Sequence, residues 1–144
     1  LLGFFPDREA LDKVIRGNAR ITVTGPVENP EALKIISRAR ILVLPSRCEG
    51  MGRVLIEAMA AGVPVVGSDV GGIPHMIRHG ENGLVFPSGN IGALEQCLRT
   101  ILSDPALAER MGQAGKELAA KEFNEKRYVE HFVEMVDAAV RGAR

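Results

Sequence analysis

A strand, a glycine-rich turn and a helix follow one another between residues 41 and 62, and they carry two carboxylates. The run Ile41-Leu42-Val43-Leu44 ends at Pro45 and the turn holds Gly50 and Gly52. Val54, Leu55, Ile56, Ala58 and Met59 then make an apolar helix that stops at Gly62, and a second apolar run, Pro64 to Gly67, follows at once. Strands apolar at every position belong in a sheet covered on both faces by helices, the parallel kind. Glu49 and Glu57 are set into this pattern with seven residues between them, one in the turn and one inside the helix. A carboxylate among aliphatic neighbours is costly to bury unless something polar meets its oxygens, so Glu57 is expected to have a partner.

The same alternation runs through the rest of the chain. Leu1 to Phe5 reads as a strand, Asp7 to Arg16 as a helix with Leu11, Val14 and Ile15 at helical spacing, and Ile21 to Thr24 as a strand. Asn29 is expected to cap a helix whose first residue is Pro30. Gly71-Gly72-Ile73-Pro74 leads into a short helix, and Gly83 to Phe86 is the last strand. Three helices close the chain: Asn90 to Leu102, Asp104-Pro105 to Lys121, and one capped by Asn124 with Tyr128, Phe132, Met135, Val136 and Ala139 along one face. This order implies an α/β fold, a doubly wound parallel sheet with helices on both faces. The expected organisation is a sheet domain over residues 1–123, with a C-terminal helix over 124–144 packing on it. Open sheets of this kind bind ligands beyond the carboxyl ends of their strands, and the turn from Pro45 to Gly52 falls at such a place.

Composition narrows the partners. With 144 residues, 46% apolar and 25% charged, the chain suits one hydrophobic core. A formal net charge of zero argues against nucleic acid or an anionic membrane, both of which favour a basic surface. No apolar run approaches the roughly 20 residues that span a bilayer, and Pro6 and Asp7 interrupt any leader-like start. Cys48 and Cys97 have no metal spacing and suggest no disulfide framework, so a cytoplasmic location is expected. Opening on Leu1 suggests a piece of a longer protein.

Gly50 and Gly52 leave backbone amides unshielded at a helix start, where the dipole favours an anion such as a phosphate or diphosphate. Glu57 lies about 7.5 Å further along the axis from Gly52, with its side chain leaning back toward the N-terminus. That is the reach from a diphosphate to an attached ribose, whose hydroxyls suit a two-oxygen acceptor. Glu49, before the glycines, is placed to accept from a sugar on the other side, and together the positions describe a nucleotide-sugar. Plainer roles compete. Arg53 and Glu57 have ion-pair spacing, in the poorer order. Glu49 serves equally well as a complement to the helix dipole. Gly50 and Gly52 also suit a tight turn, and Gly71-Gly72 is either an anion nest or, the preferred reading, a plain helix start. His75 and His79 have a metal-binding i, i+4 spacing without a third ligand, so they read as surface histidines. Cys48 reads as an ordinary small side chain.

These residues resemble the retaining glycosyltransferases of the GT-B fold, glycosyltransferase group 1. The resemblance rests on Thr24-Gly25-Pro26-Val27, Ala39 to Ser46, the Glu49/Glu57 pair, Glu57-Ala58-Met59-Ala60-Ala61-Gly62-Val63-Pro64-Val65-Val66, Gly71-Gly72-Ile73-Pro74 and Gly80-Glu81-Asn82-Gly83-Leu84-Val85. It implies the C-terminal, Rossmann-like donor-binding half of that fold, lacking its first strand. It further implies transfer of a sugar from a nucleoside diphosphate to a glycan, lipid or small-molecule acceptor, with no metal or other cofactor. On this resemblance Glu49 is the catalytic residue and touches the donor sugar, and Glu57 binds the ribose. Gly50, Met51, Gly52, Arg53 and Val54 face sugar and phosphates, and Val27 and Glu28 contact the base. A basic pair for the diphosphate and an acceptor-binding domain are expected upstream of Leu1, so these residues alone are expected to be inactive. Met51 stands where phenylalanine is common, Arg53 where an apolar residue is usual, and His75 where glutamate is common. A nucleotide-sugar epimerase of the same fold, or a non-catalytic nucleotide-binding module, is the alternative.

Overall fold

Apolar runs whose side chains alternate between two helix-covered faces become the strands, and cap residues set where the helices start. The computed structural model describes residues 8–16, 18–124 and 127. The described residues fall into two compact units divided between Ile35 and Ile36.

The first unit contains α1 (Arg8–Ile15) and the start of α2 (Asn29–Ser37). On α1, Leu11 and Ile15 are half-buried, but Val14 is exposed. The strand expected at Leu1 to Phe5 lies outside the described residues. Residues 21–24, also expected as a strand, carry none; a strand exists only through a ladder with a neighbour, and local apolar content does not supply one. The cap of α2 also shifts by one position. The amide of Ala32 donates to the carbonyl of Glu28 at 3.0 Å, so Glu28 takes the cap place and Asn29 is already helical.

The second unit is built on β1 (Leu42–Leu44), β2 (Val65–Ser68) and β3 (Gly83–Phe86), parallel and in that spatial order. The crossovers are α3 (Arg53–Ala60) and α4 (Ile73–Met76); α5 (Ile91–Ser103) and α6 (Pro105–Glu122) follow β3. Register sorts the side chains. Val43, Val66 and Leu84 lie side by side on one face, and with Phe86 they pack against Cys97 and Ile101 of α5 and Met111 of α6. On the other face Leu44 meets Gly52 and Leu55 at the start of α3, and Ile73 and Ile77 press on Gly67. The doubly covered parallel sheet is therefore present. β1 is only half-buried, because its sole described neighbour is β2.

Caps confirm the helix starts. Asn90 and Asp104 accept from the amides of Ala93 (3.0 Å) and Leu107 (2.9 Å). Asn124 accepts from the amide of Arg127 at 2.9 Å; the helix expected beyond it, with its apolar face, lies outside the described residues. Helices α3 and α6 approach closely because Gly112 brings no Cβ, which would otherwise fall onto the carbonyl oxygen of Gly62. Asn82 is the one buried amide side chain, and it is satisfied: it accepts from the amide of Arg78 (2.8 Å) and donates to the carbonyl of Met76 (3.1 Å) and the Sδ of Met59 (3.0 Å). Among the described residues no helix is long and apolar enough to cross a membrane.

Candidate functional site

Parallel strands open their carboxyl ends on one edge, and here three hydroxyls meet there. Ser68, the fully buried last residue of β2, donates to the carbonyl oxygen of Ser46 at 2.7 Å. Ser88, just past β3, donates its hydroxyl to the same oxygen at 3.2 Å, while its amide is held by Asp69 Oδ1 at 2.7 Å. Ser46 in turn donates its own hydroxyl to Glu49 Oε2 at 3.2 Å. Oε1 of Glu49 has no protein partner among the described residues.

The turn itself is clamped from a second side. The amide of Gly72 donates to the carbonyl of Gly50 at 3.0 Å. Gly71 has φ +54°, and a Cβ there would fall onto the carbonyl oxygen of Glu49. The Gly71-Gly72 pair is the helix start read from the sequence, since Gly72 caps α4, and it is also a buttress for the turn that carries Glu49.

Gly52 requires a correction. It is buried rather than bare, because a Cβ there would lie 2.8 Å from Leu44 Cδ2 and 3.1 Å from Leu55 Cδ1. Its missing side chain lets the helix start pack against β1. Gly50 is exposed with open space at its Cα, and Met51 projects 63% exposed. Gly52 caps α3 without any side-chain acceptor, and the first turn holds no acidic residue. The Arg53 and Leu55 amides are taken by the Met51 and Gly52 carbonyls. Those of Gly50, Met51, Gly52 and Val54 have no protein acceptor among the described residues. The result is a helix start with free donors and no acidic residue in its first turn, the electrostatics of an anion site.

Glu57 sits one turn further along α3, on the side of Arg53 and Val54. The buried face of the helix is Leu55, Ala58 and Met59, and Glu57 is half-buried beside it. The polar partner expected for the carboxylate does not occur among the described residues; the helix instead turns Glu57 to the flank of its buried face. Arg53 is exposed, and no ion pair with Glu57 forms. The plain ion-pair reading is thereby removed.

A model of the family described as glycosyl transferases group 1 matches residues 9–118. The chain belongs to that family. It is 32% identical over 120 residues to the glycogen synthase of Mycobacterium tuberculosis, covering 83% of this chain and 29% of that protein. It is also 32% identical over 127 residues to the alpha-D-kanosaminyltransferase of Streptomyces kanamyceticus, covering 86% of this chain and 33% of that one. The domain thus spans about a third or less of the curated relatives it matches. Among solved structures, sucrose-phosphate synthase of Thermosynechococcus elongatus superposes with a TM-score of 0.82 at 30% identity, over 99% of this chain and 39% of that one. Anabaena HepE, in complex with UDP and glucose, superposes with a TM-score of 0.83 at 20% identity, over 96% and 40%. Both likenesses agree with a GT-B C-terminal domain.

Other predicted residues of this group 1 domain are placed as follows. Val27 and Glu28 belong to the first unit; Val27 is half-buried and Glu28 exposed, its carbonyl capping α2. The histidine pair does not share a helix, because α4 ends at Met76. His79 instead turns its Nδ1 to accept from the amide of Val85 at 3.0 Å, and His75 is exposed. No group of three or more metal-ligating side chains occurs among the described residues. Sequence reasoning missed Ser46, Ser68 and Ser88 as a set. The signal available was positional, since each is at or within two residues of a strand's carboxyl end.

Proposed function

We propose that this domain binds the donor of a glycosyltransferase that moves a sugar from a nucleoside diphosphate, with retention of configuration, to a glycan, lipid or small-molecule acceptor. The observation that carries the reading is the start of α3, where the amides of Gly50, Met51, Gly52 and Val54 lack protein acceptors and carboxylates flank them on both sides. A diphosphate docks on the amides, Glu57 accepts from the ribose hydroxyls, and the free oxygen of Glu49 accepts from the donor sugar. Arg53 adds positive charge near the phosphates. As the sugar leaves, charge builds on the diphosphate. Preorganised amides and a helix dipole stabilise that charge most where it is largest, in the transition state, so the reading needs no metal.

Structures of Anabaena HepE with UDP, with UDP and glucose, and with UDP-glucose support a nucleotide-sugar donor. The exposed free thiol of Cys48 supports a reducing, cytoplasmic setting. Since the domain spans about a third or less of its curated relatives, acceptor binding and a basic pair for the diphosphate are assigned to the rest of the full-length protein. These 144 residues alone are expected to bind nucleoside diphosphates weakly and to transfer nothing.

Calorimetric titration of the full-length protein with UDP, GDP and ADP and with their glucose or mannose esters tests the reading, followed by transfer assays with the anomeric form of the product read by NMR. Binding of one nucleotide series and acceptor-dependent transfer support it. Sugar conversion without acceptor would point to an epimerase, and unchanged donor affinity and turnover in Glu57→Ala would point to a non-catalytic module.

A further inference from the structure

The turn between Ser46 and Gly52 is held at more points than a surface loop needs. Its first residue has its carbonyl oxygen fixed by two hydroxyls, from Ser68 at 2.7 Å and Ser88 at 3.2 Å. Ser68 is wholly buried and spends its one donor on this contact. Four residues on, the carbonyl of Gly50 is held by Gly72 at 3.0 Å, and Gly71 backs against the carbonyl of Glu49. The backbone on both sides of Glu49 is thereby anchored. What remains free is the torsion of the Glu49 side chain, and the Ser46 hydroxyl takes hold of one carboxylate oxygen, Oε2, at 3.2 Å.

We propose that Ser46 is a positioning residue that holds Oε2 of Glu49 so that Oε1 is presented, already oriented, to a hydroxyl of the donor sugar. The inference rests on the donor-site reading above and adds to it the device that sets the geometry. A carboxylate left to itself rotates about two or more torsions, and ordering it on binding subtracts from affinity. Ser46 does this ordering in advance. Its hydroxyl donates, so the carboxylate keeps its full negative charge and Oε1 keeps its accepting capacity. Ser68 and Ser88 act at one remove, since fixing the Ser46 carbonyl fixes the direction in which its Cβ and hydroxyl leave the backbone.

The test compares binding of UDP, GDP or ADP, whichever the full-length protein binds best, with binding of the matching glucose or mannose ester. The affinity gained from the sugar is the quantity read. Ser46→Ala is expected to lower that gain about tenfold, the size of one charge-assisted hydrogen bond, while the affinity for the bare diphosphate stays as in the wild type. Ser46→Thr, which keeps the hydroxyl, is expected to restore most of the gain. In a Glu49→Ala background, Ser46→Ala is expected to add no further loss, which a merely structural serine would not reproduce. Full additivity of the two substitutions overturns the proposal. So does an equal loss for bare diphosphate and sugar ester, or a wild-type sugar that adds no affinity. A wild-type protein that binds none of the diphosphates overturns instead the donor reading on which the proposal stands.

Discussion

The amide of Gly72 donates to the carbonyl oxygen of Gly50 at 3.0 Å, tying the turn after β2 to the turn after β1. The join works only because the pair before α4 is bare. At Gly72 a Cβ would sit 2.6 Å from the Gly50 oxygen, and at Gly71 it would meet the oxygen of Glu49. Glycine is used here for close approach of two backbones as much as for its conformational range.

Gly71→Ala is therefore expected to damage both stability and donor binding. Gly80→Ala is its control, since Gly80 also has positive φ (+87°) but nothing within 4 Å of an added Cβ. Left-handed strain alone costs about 1–2 kcal/mol, and Gly80→Ala should show that cost with unchanged diphosphate affinity. Gly71→Ala should lose more in urea denaturation and weaken diphosphate binding about tenfold or more. Equal behaviour of the two variants would show that the contact with Glu49 does not shape the site.

The Glu57 carboxylate has no protein partner among the described residues, so its removal should leave stability nearly untouched. Glu57→Ala is expected to shift the unfolding free energy by less than about 0.5 kcal/mol. It should also weaken nucleoside diphosphate binding by about 10–100-fold, the size of one or two charge-assisted hydrogen bonds. A 2′-deoxy nucleoside diphosphate should show a smaller difference between wild type and variant. If the deoxy ligand feels the substitution as strongly as the ribose form, Glu57 does not read the 2′ hydroxyl.

Gly112→Ala sets helix propensity against packing. Alanine should gain about 1 kcal/mol in the middle of α6, but the new methyl meets the carbonyl of Gly62, a backbone atom that cannot swing aside. Overpacking of this sort costs about 1–3 kcal/mol, so net destabilisation is expected. Gly115→Ala should lose less, because its nearest neighbour is Met59 Cγ at 3.2 Å, a flexible side chain. Thermal melts of the two variants side by side give the comparison.

The two thiols should separate by reactivity. Cys48 is exposed next to Glu49, whereas Cys97 is buried in the core and burial pushes its thiol pKa up, a backbone hydrogen bond only partly opposing this. Iodoacetamide near pH 8 should label Cys48 and spare Cys97, and a bound sugar donor should slow labelling of Cys48. The sign for stability follows from linkage. Cys97 favours the protonated form in the fold, so its contribution is full below the ordinary thiol range and is lost as pH rises through the raised folded-state value. Cys97→Ser, which lacks this titration, is expected to lose less stability than wild type as pH rises from neutral through that window; a pH profile identical to wild type would contradict the account.

Order along the chain was enough to place most elements, because each depends on residues within a turn or two of itself. The strand Gly83–Phe86 was legible end to end, and α5 and α6 start after Asn90 and Asp104 because those side chains reach amides three residues on. The same local logic located the turn with Glu49 and the helix with Glu57. Tertiary structure decided what distant groups do to those positions. Ile21 to Thr24 has strand composition and no strand, Gly52 is covered by Leu44, and Glu57 is turned to a flank. The bonds from Ser68 and Ser88 to Ser46 exist only once three parallel strands share a register and end together at one edge of the sheet. Local spacing sets which way a side chain leaves its own element, but what it meets there depends on strand pairing between segments far apart in the chain, and that pairing is set by the packing of the whole core.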